Sequence, residues 1–239
     1  MTPQPRPDDQ IERILVVAAH PDDADFGAAG TMAGWVADGI EVTLLCCTHG
    51  EQGARPGADI AAVPALREAE QRAASAELGV SDVRFLTRHR DGWLAPTFEL
   101  QRDIVEVIRQ VRPQRVVCQS PERSYESIHG SHPDHLAAGE ATVRACYPAA
   151  ENPFAWPELG LPFWHVGEIW LMAHPTPHHA VDITAHMDRK VAALRRHASQ
   201  TGHRDDLEEL LRGWGARVAQ TFGLPQGHLG ESFTIVPVN

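Results

Sequence analysis

Residues 14–19 (ILVVAA) form an unbroken apolar run with charge before it and His-Pro after it, the pattern of a strand buried on both faces of a parallel sheet. Small and apolar residues over 27–37 predict a tightly packed helix, and 41–47 (EVTLLCC) returns to a strand pattern, so the chain opens with a βαβ unit. A Gly- and Ala-rich loop over 50–63 precedes Pro64, which suits the first turn of a helix running to Leu78 and closed by Gly79. A short strand follows at 83–86. Leu100, Ile104, Ile108 and Val111 recur at helical spacing within 99–111, and Pro113 stops that helix before a strand at 115–119. A long polar loop then leads to Pro133 and to helical composition over 135–146. Residues 148–165, with four prolines and the aromatics Phe154, Trp156, Phe163 and Trp164, predict an ordered loop folded on the core. A strand at 168–173, a helix at 184–197 and a terminal edge strand at 233–238, where Pro237 is tolerated, complete the pattern. This alternation predicts an α/β fold: a Rossmann-like open, mostly parallel sheet with helices on both faces, in a single domain spanning 1–239. Such sheets gather ligands at the carboxyl ends of their strands.

Composition narrows the functional classes. With 43% hydrophobic and 22% charged residues the 239-residue chain can bury a sizeable core, which excludes disorder and fibrous repeats. A net charge of −11 repels a polyphosphate backbone and argues against nucleic acid as a partner. No apolar run reaches the roughly 18 to 20 residues of a membrane span, and the N-terminus lacks the basic start and apolar stretch of a signal peptide, so a cytoplasmic location is expected. Cys46, Cys47, Cys118 and Cys146 show no CxxC spacing and read as small buried hydrophobes in a reducing compartment. Fourteen histidines are the unusual feature, and their clustering decides their use.

Two clusters fall at predicted strand-to-helix junctions. In His20-Pro21-Asp22-Asp23 the proline fixes φ, and a near-helical turn puts residues three apart on one face, so His20 and Asp23 can converge on one ion while Asp22 points aside. His132-Pro133-Asp134-His135 repeats the arrangement. An imidazole and a carboxylate from one loop plus an imidazole from the other supply the three protein ligands of a catalytic zinc site. Asp22 is then free to act as general base toward water acidified by the metal. Either motif alone is compatible with a helix cap; the pair is not readily explained so.

Taken with CTHGEQG (47–53), LREAEQRAASAELGV (66–80), RDG (90–92), VDIT and RRHASQ (181–200), these motifs make the chain resemble the LmbE-like (PIG-L) zinc-dependent N-deacetylases. That family includes the deacetylases of mycothiol and bacillithiol synthesis and of N-acetylglucosaminyl-phosphatidylinositol. The resemblance implies Zn²⁺, or another divalent metal, held by His20, Asp23 and His135, with Asp22 as general base. It further implies His132 as general acid or oxyanion partner and Asp134 as the group that orients or tunes it. Glu51, Arg67 and Asp91 would line a substrate pocket for an N-acetylglucosaminide, although Arg67 can instead pair with Glu70 and Asp91-Gly92 can be a plain turn. Two departures stand out: Ala24-Asp25-Phe26 where a Glu is common, and Gly130 in place of a tyrosine found in some mycothiol-type relatives, with Tyr125 of the same loop either reaching in or packing on the surface.

Among the remaining candidates, His174, His178 and His179 offer either a second metal site or a polar rim. His197 and Gln200 lie on a segment expected to pack on the core and close the site, and Trp93 is either a sugar-stacking platform or a buried aromatic. Family relatives also include a zinc-dependent hydratase of an unsaturated dicarboxylic acid and thiol-conjugate amidases, which share metal, ligands and base. A non-enzymatic Rossmann-like binding module is disfavoured, because Gly27, Gly30 and Gly34 do not make GxGxxG and His-Pro-Asp-Asp fills the tight turn. Homo-oligomers are common on this scaffold, but no stripe of the sequence marks an interface.

Overall fold

The computed structural model of the protein describes residues 2–126 and 128–238. Its centre is a seven-stranded sheet built from β1 (Arg13–Ala18), β2 (Glu41–Cys46), β3 (Asp82–Phe85), β4 (Arg115–Gln119), β5 (Glu168–Met172), β6 (His179–Asp182) and β7 (Gly230–Pro237). The strands lie in the order β3-β2-β1-β4-β5-β7-β6. The first five in that order are parallel, while β7 runs antiparallel to both β5 and β6. The mostly parallel sheet of the sequence reading is therefore present. One detail differs: the C-terminal strand is not an edge, because the unpredicted β6 pairs along its outer side. Pro237 is accommodated at the end of β7. β6 escaped prediction because its four residues, HAVD, are too short to show a period.

Period-two alternation in β1 divides the core. Ile14, Val16 and Ala18 face one cluster together with Ala28, Ala29 and Met32 of α1 (Asp23–Ala37) and Ala74 and Leu78 of α2 (Val63–Leu78). Leu15, Val17 and Ala19 face a second cluster with Leu100, Ile104 and Ile108 of α3 (Phe98–Val111) and Ala137, Ala138 and Ala141 of α4 (Pro133–Arg144). Each fully buried Leu or Ile in these layers stabilises the fold by roughly 1.5–3 kcal/mol. Small residues on α1 and α4 bring both helices close to the sheet. At Gly139 the approach is such that a Cβ would stand 2.2 Å from the Gln119 carbonyl oxygen.

A third cluster joins Ile183, Met187, Val191 and Leu194 to Leu207 and Leu211, packing α5 (Met187–Arg196) and α7 (Leu207–Thr221) outside α1. The expected helix over 184–197 is thus a 3-10 turn at Thr184–His186 followed by α5, and its chain breaks direction at His197 before the short α6 (Ala198–Thr201). Sequence reasoning did not find α7. α5 is bolted to α1 by polar groups as well: Lys190 Nζ donates to the Phe26 carbonyl and to Glu231 Oε1, each at 2.6 Å. Glu231 in turn accepts from the Gly30 and Thr31 N–H groups at 3.1 and 2.8 Å. Among the described residues no helix is long and apolar enough to cross a membrane.

Candidate active site

Strand order reverses between β1 and β4, and the two His-Pro-Asp motifs follow those two strands. His20 leaves β1 into α1, where Asp22 caps the helix with φ 84° and Asp23 begins its first turn. The left-handed backbone at Asp22 is held by its N–H, which donates to Gln71 Oε1 at 2.8 Å. His132 caps α4, its Nδ1 accepting from the Asp134 N–H at 3.2 Å, and Pro133 occupies the first helical turn. An imidazole that accepts through Nδ1 carries its neutral-form proton on Nε2.

The two turns meet across the switch point. Asp23 places Oδ2 3.2 Å from His20 Nδ1 and Oδ1 3.0 Å from His135 Nε2. On its other side His20 Nε2 meets Asp91 Oδ1 at 2.9 Å and Asp134 Oδ2 at 3.1 Å. Two sets of donors lie within 4.8 Å of one another, His20 with His132 and His135, and His20 with Asp91 and Asp134. Asp23 belongs to neither set, yet it bridges two imidazoles with separate oxygens. These side chains can hold a divalent cation.

Charge within this cluster is strongly perturbed. Burial opposes a proton on His20, but hydrogen bonds to Asp134, Asp23 and Asp91 outweigh it and push the imidazole up to about 12. Burial raises Asp23, and the His135 and His20 partners more than reverse this, holding it well below the usual carboxylate range. Asp22 goes the other way: burial and the neighbouring Asp23 charge push it up to about 7, against the pull of Arg67. His132 lies below its ordinary value through burial and the charges of His20 and His135. A bound cation and a proton on His20 are alternative answers to the same accumulation of carboxylates.

The remaining sequence candidates fall around a cavity of about 300 Å³ lined by His20, Asp22, Gln52, Gly53, Arg67, Asp91, His132, His135 and Gln200. Arg67, 4% exposed, does not pair with Glu70. Its guanidinium donates to the carbonyls of Gly50 and Pro21, both at 2.7 Å, and to Asp22 Oδ2 at 3.2 Å. Asp91 accepts from the Gln52 N–H at 2.8 Å and reaches His20 as described. Glu51 stands behind the wall and accepts from the Asp91 N–H at 3.0 Å, so it props Asp91. Asp134 turns its carboxylate to the Gly92 N–H at 2.6 Å and to His20, and it reaches His132 through its backbone N–H and through its charge. A larger hollow of about 610 Å³ lies elsewhere, between Asp8–Arg13 and Asp38–Glu41, and no histidine lines it.

Trp93 is 65% exposed with Arg90 stacked 4.3 Å above its ring, and Tyr125 is 87% exposed. His174, His178 and His179 do not gather: His174 pairs with Glu122, His178 accepts from the Ile235 N–H, and His179 packs against Trp170. Asp25, the substituted position after the first motif, is fully buried and accepts from Gln71 Nε2 at 2.7 Å and from His197 at 2.9 Å. Gln71, Asp25 and His197 thereby form a buried chain behind Asp22. No local pattern marks them, although all three lie in segments whose resemblance is evident in the sequence.

A mostly parallel α/β sheet with paired His-Pro-Asp turns at its switch point defines a class of proteins with a His- and carboxylate-lined metal pocket. The chain belongs to the PIG-L family, described as GlcNAc-PI de-N-acetylase, whose pattern its residues 15–146 match. It is 38% identical over 191 residues to the 1D-myo-inositol 2-acetamido-2-deoxy-alpha-D-glucopyranoside deacetylase of Streptomyces avermitilis, covering 69% of this chain and 62% of that protein. With the diacetylchitobiose deacetylase of Thermococcus kodakarensis it shares 32% identity over 97% of this chain and 85% of that one. The solved N,N'-diacetylchitobiose deacetylase of Pyrococcus horikoshii superposes with a TM-score of 0.83 and 29% identity, covering 96% of this chain and 85% of the other.

Proposed function

We propose that this protein is a zinc-dependent N-deacetylase that hydrolyses the acetamide of an amino sugar, an N-acetylglucosaminide above all. The observation that carries the reading is the bridging of His20 and His135 by the two oxygens of Asp23, beside a cavity of sugar size. Asp23 stands 3.2 Å from His20 Nδ1 through one oxygen and 3.0 Å from His135 Nε2 through the other, so the three side chains that would hold the ion already meet. Held through Nδ1, His20 would keep Nε2–H bonded to Asp91 and Asp134, the outer carboxylate support usual for a metal-bound histidine. This supports His20, Asp23 and His135 as the residues that would hold the metal, with Asp91 and Asp134 behind His20.

When bound, zinc supplies a Lewis acid that polarises the acetamide carbonyl and acidifies water. The chain's own groups do the rest. Asp22, poised near neutrality, takes the proton of the attacking water, and Arg67 holds it in place. His132, with its proton on Nε2, donates a hydrogen bond to the developing oxyanion, and the proton that Asp22 has taken from water passes to the departing amine as the C–N bond breaks. Arg67 and Asp91 bind sugar hydroxyls. The names of the relatives support the amide and the sugar, and one continuous sheet supports reading 1–239 as a single domain. Four buried thiols suit a cytoplasmic enzyme.

The test is release of primary amine from N-acetylglucosamine and its glycosides by zinc-loaded protein, with a chelated control. Asp22→Asn should retain zinc and lose about 10²–10⁴-fold in turnover. Undiminished turnover would remove Asp22 from the base role. A folded, zinc-loaded protein that releases no amine would overturn the deacetylase reading and bring unsaturated dicarboxylic acids forward as substrates.

A further inference from the structure

Gln200 lines the cavity from α6, a segment far in sequence from the motifs that build the rest of the wall. Its Nε2 donates to the Gly53 carbonyl at 3.1 Å and to Ser199 Oγ at 3.0 Å. A carbonyl only accepts, so the amide cannot be turned over without setting two acceptors against each other, and Oε1 is thereby fixed on the remaining side. Oε1 has no hydrogen-bond donor among the described residues. Gly53 makes room there: a Cβ at that position would stand 3.3 Å from Gln200 Oε1 and 2.6 Å from the Arg67 NH1 atom. An acceptor and a cationic donor therefore flank one point on the cavity wall. NH1 carries two hydrogens, and the Gly50 carbonyl takes one of them.

A purely structural role leaves this arrangement without a reason. Ser199 already fastens the segment to α2, its N–H and hydroxyl donating to the two Glu70 oxygens at 2.7 and 2.6 Å. Arg55 meets His203 and closes the same seam from the loop side. The anchoring of α6 does not require an amide whose acceptor end lies on the cavity.

We infer that Gln200 is a specificity-determining residue that accepts a hydrogen bond from a hydroxyl of the sugar, the same hydroxyl accepting from Arg67. The inference rests on the amino-sugar reading and adds to it a residue and a recognition rule. A hydroxyl is the group that both donates and accepts, so it satisfies the two atoms together, whereas an acetamide N–H satisfies only one. Position agrees: Arg67 turns NH2 toward Asp22, where the acetamide must react, and NH1 toward Gly53 and Gln200.

The experiment compares N-acetylglucosamine with its 3-deoxy, 4-deoxy and 6-deoxy analogues as substrates of the zinc-loaded wild type, Gln200→Leu and Arg55→Ala. One analogue should lose about tenfold in kcat/KM with the wild type, about 1.4 kcal/mol. Gln200→Leu should lose a similar factor toward the parent sugar, chiefly in KM, and no longer distinguish that analogue. Arg55→Ala, which loosens the seam only, should keep the discrimination. Equal handling of all three analogues by the wild type overturns the inference whether or not the variants fold, as does unchanged discrimination in Gln200→Leu. If the wild type releases no amine, equilibrium titration with the methyl glycosides of the same sugars separates the two ideas. Binding that discriminates one deoxy sugar and depends on Gln200 keeps this residue's role while the deacetylase reading falls; no binding overturns both.

Discussion

Arg67→Met separates the electrostatic from the structural work of one buried side chain. Methionine keeps an unbranched apolar stem, but it removes the donor of the Pro21 carbonyl and the charge next to Asp22, while the Gly50 carbonyl keeps the Gly53 N–H at 3.0 Å. An orphaned buried acceptor costs roughly 1–3 kcal/mol, so the loss at Pro21 should cost about 2 kcal/mol. On a domain of this size that lowers Tm by about 4–8 °C. The charge effect has its own sign. Asp22 stands at about 7 with Arg67 pulling it down, so removing the guanidinium raises it, by about one pH unit at the low end of what a close opposite charge exerts. A general base must be deprotonated, so the acid limb of the pH–rate profile should move to higher pH by that amount. A bound divalent ion lowers Asp22 in both proteins and leaves the difference standing. Initial rates against pH and a thermal melt on the same zinc-loaded samples measure the two effects independently. An acid limb that stays in place or moves to lower pH would refute the assignment of Arg67 as the charge that sets Asp22.

Three further outcomes are expected. His135→Ala should weaken zinc binding more than about 100-fold in a chelator competition while the protein stays folded, since only one ligand on the exposed lip of α4 is lost; unaltered affinity would exclude it from the metal set. Gly139→Ala drives a methyl against the Gln119 carbonyl, so α4 must shift; a loss of about 2–3 kcal/mol in urea unfolding is expected, with weaker zinc binding because the same helix carries His132 and His135. His197→Gln should destabilise in a pH-dependent way. Burial lowers His197, but the Asp25 partner raises it above 6.5, so its stabilisation is complete below the unfolded value and fades as pH rises through the folded one. The stability gap between wild type and variant should therefore be larger at about pH 6 than at about pH 9, and a gap that widens with pH would contradict the ion pair.

The order of strands and helices through β5 was legible because each element writes its own period into consecutive residues: ILVVAA for a doubly buried strand, Leu100, Ile104 and Ile108 for one face of α3. The two His-Pro-Asp turns were legible as sites for the same reason, since four adjacent residues and their place after a strand mark each; the near-helical turn expected at the first was not, because Pro21 lies outside the helix and Asp22 is left-handed, held by Gln71 of α2. What the chain does not write locally is which oxygen meets which nitrogen across the switch point. His20 turning Nδ1 to Asp23 and Nε2 to Asp91 and Asp134, Glu51 propping Asp91, and Arg67 serving two backbone carbonyls and Asp22 rather than Glu70 all depend on packing between α1, α2 and α4. The C-terminal third was least legible. β6 is too short for a period, and β7 lies inside the sheet because β6 needs its outer edge. His197 and Gln200 acquire their positions only when α5 and α6 fold back over α1 and α2, joining atoms more than a hundred residues apart. Sequence alone determined the scaffold through β5 and the location of the reactive turns, because both are marked by neighbours in the chain. Tertiary structure alone decided the charges and the far wall of the cavity, because burial and hydrogen bonds between distant segments exist only once the layers close.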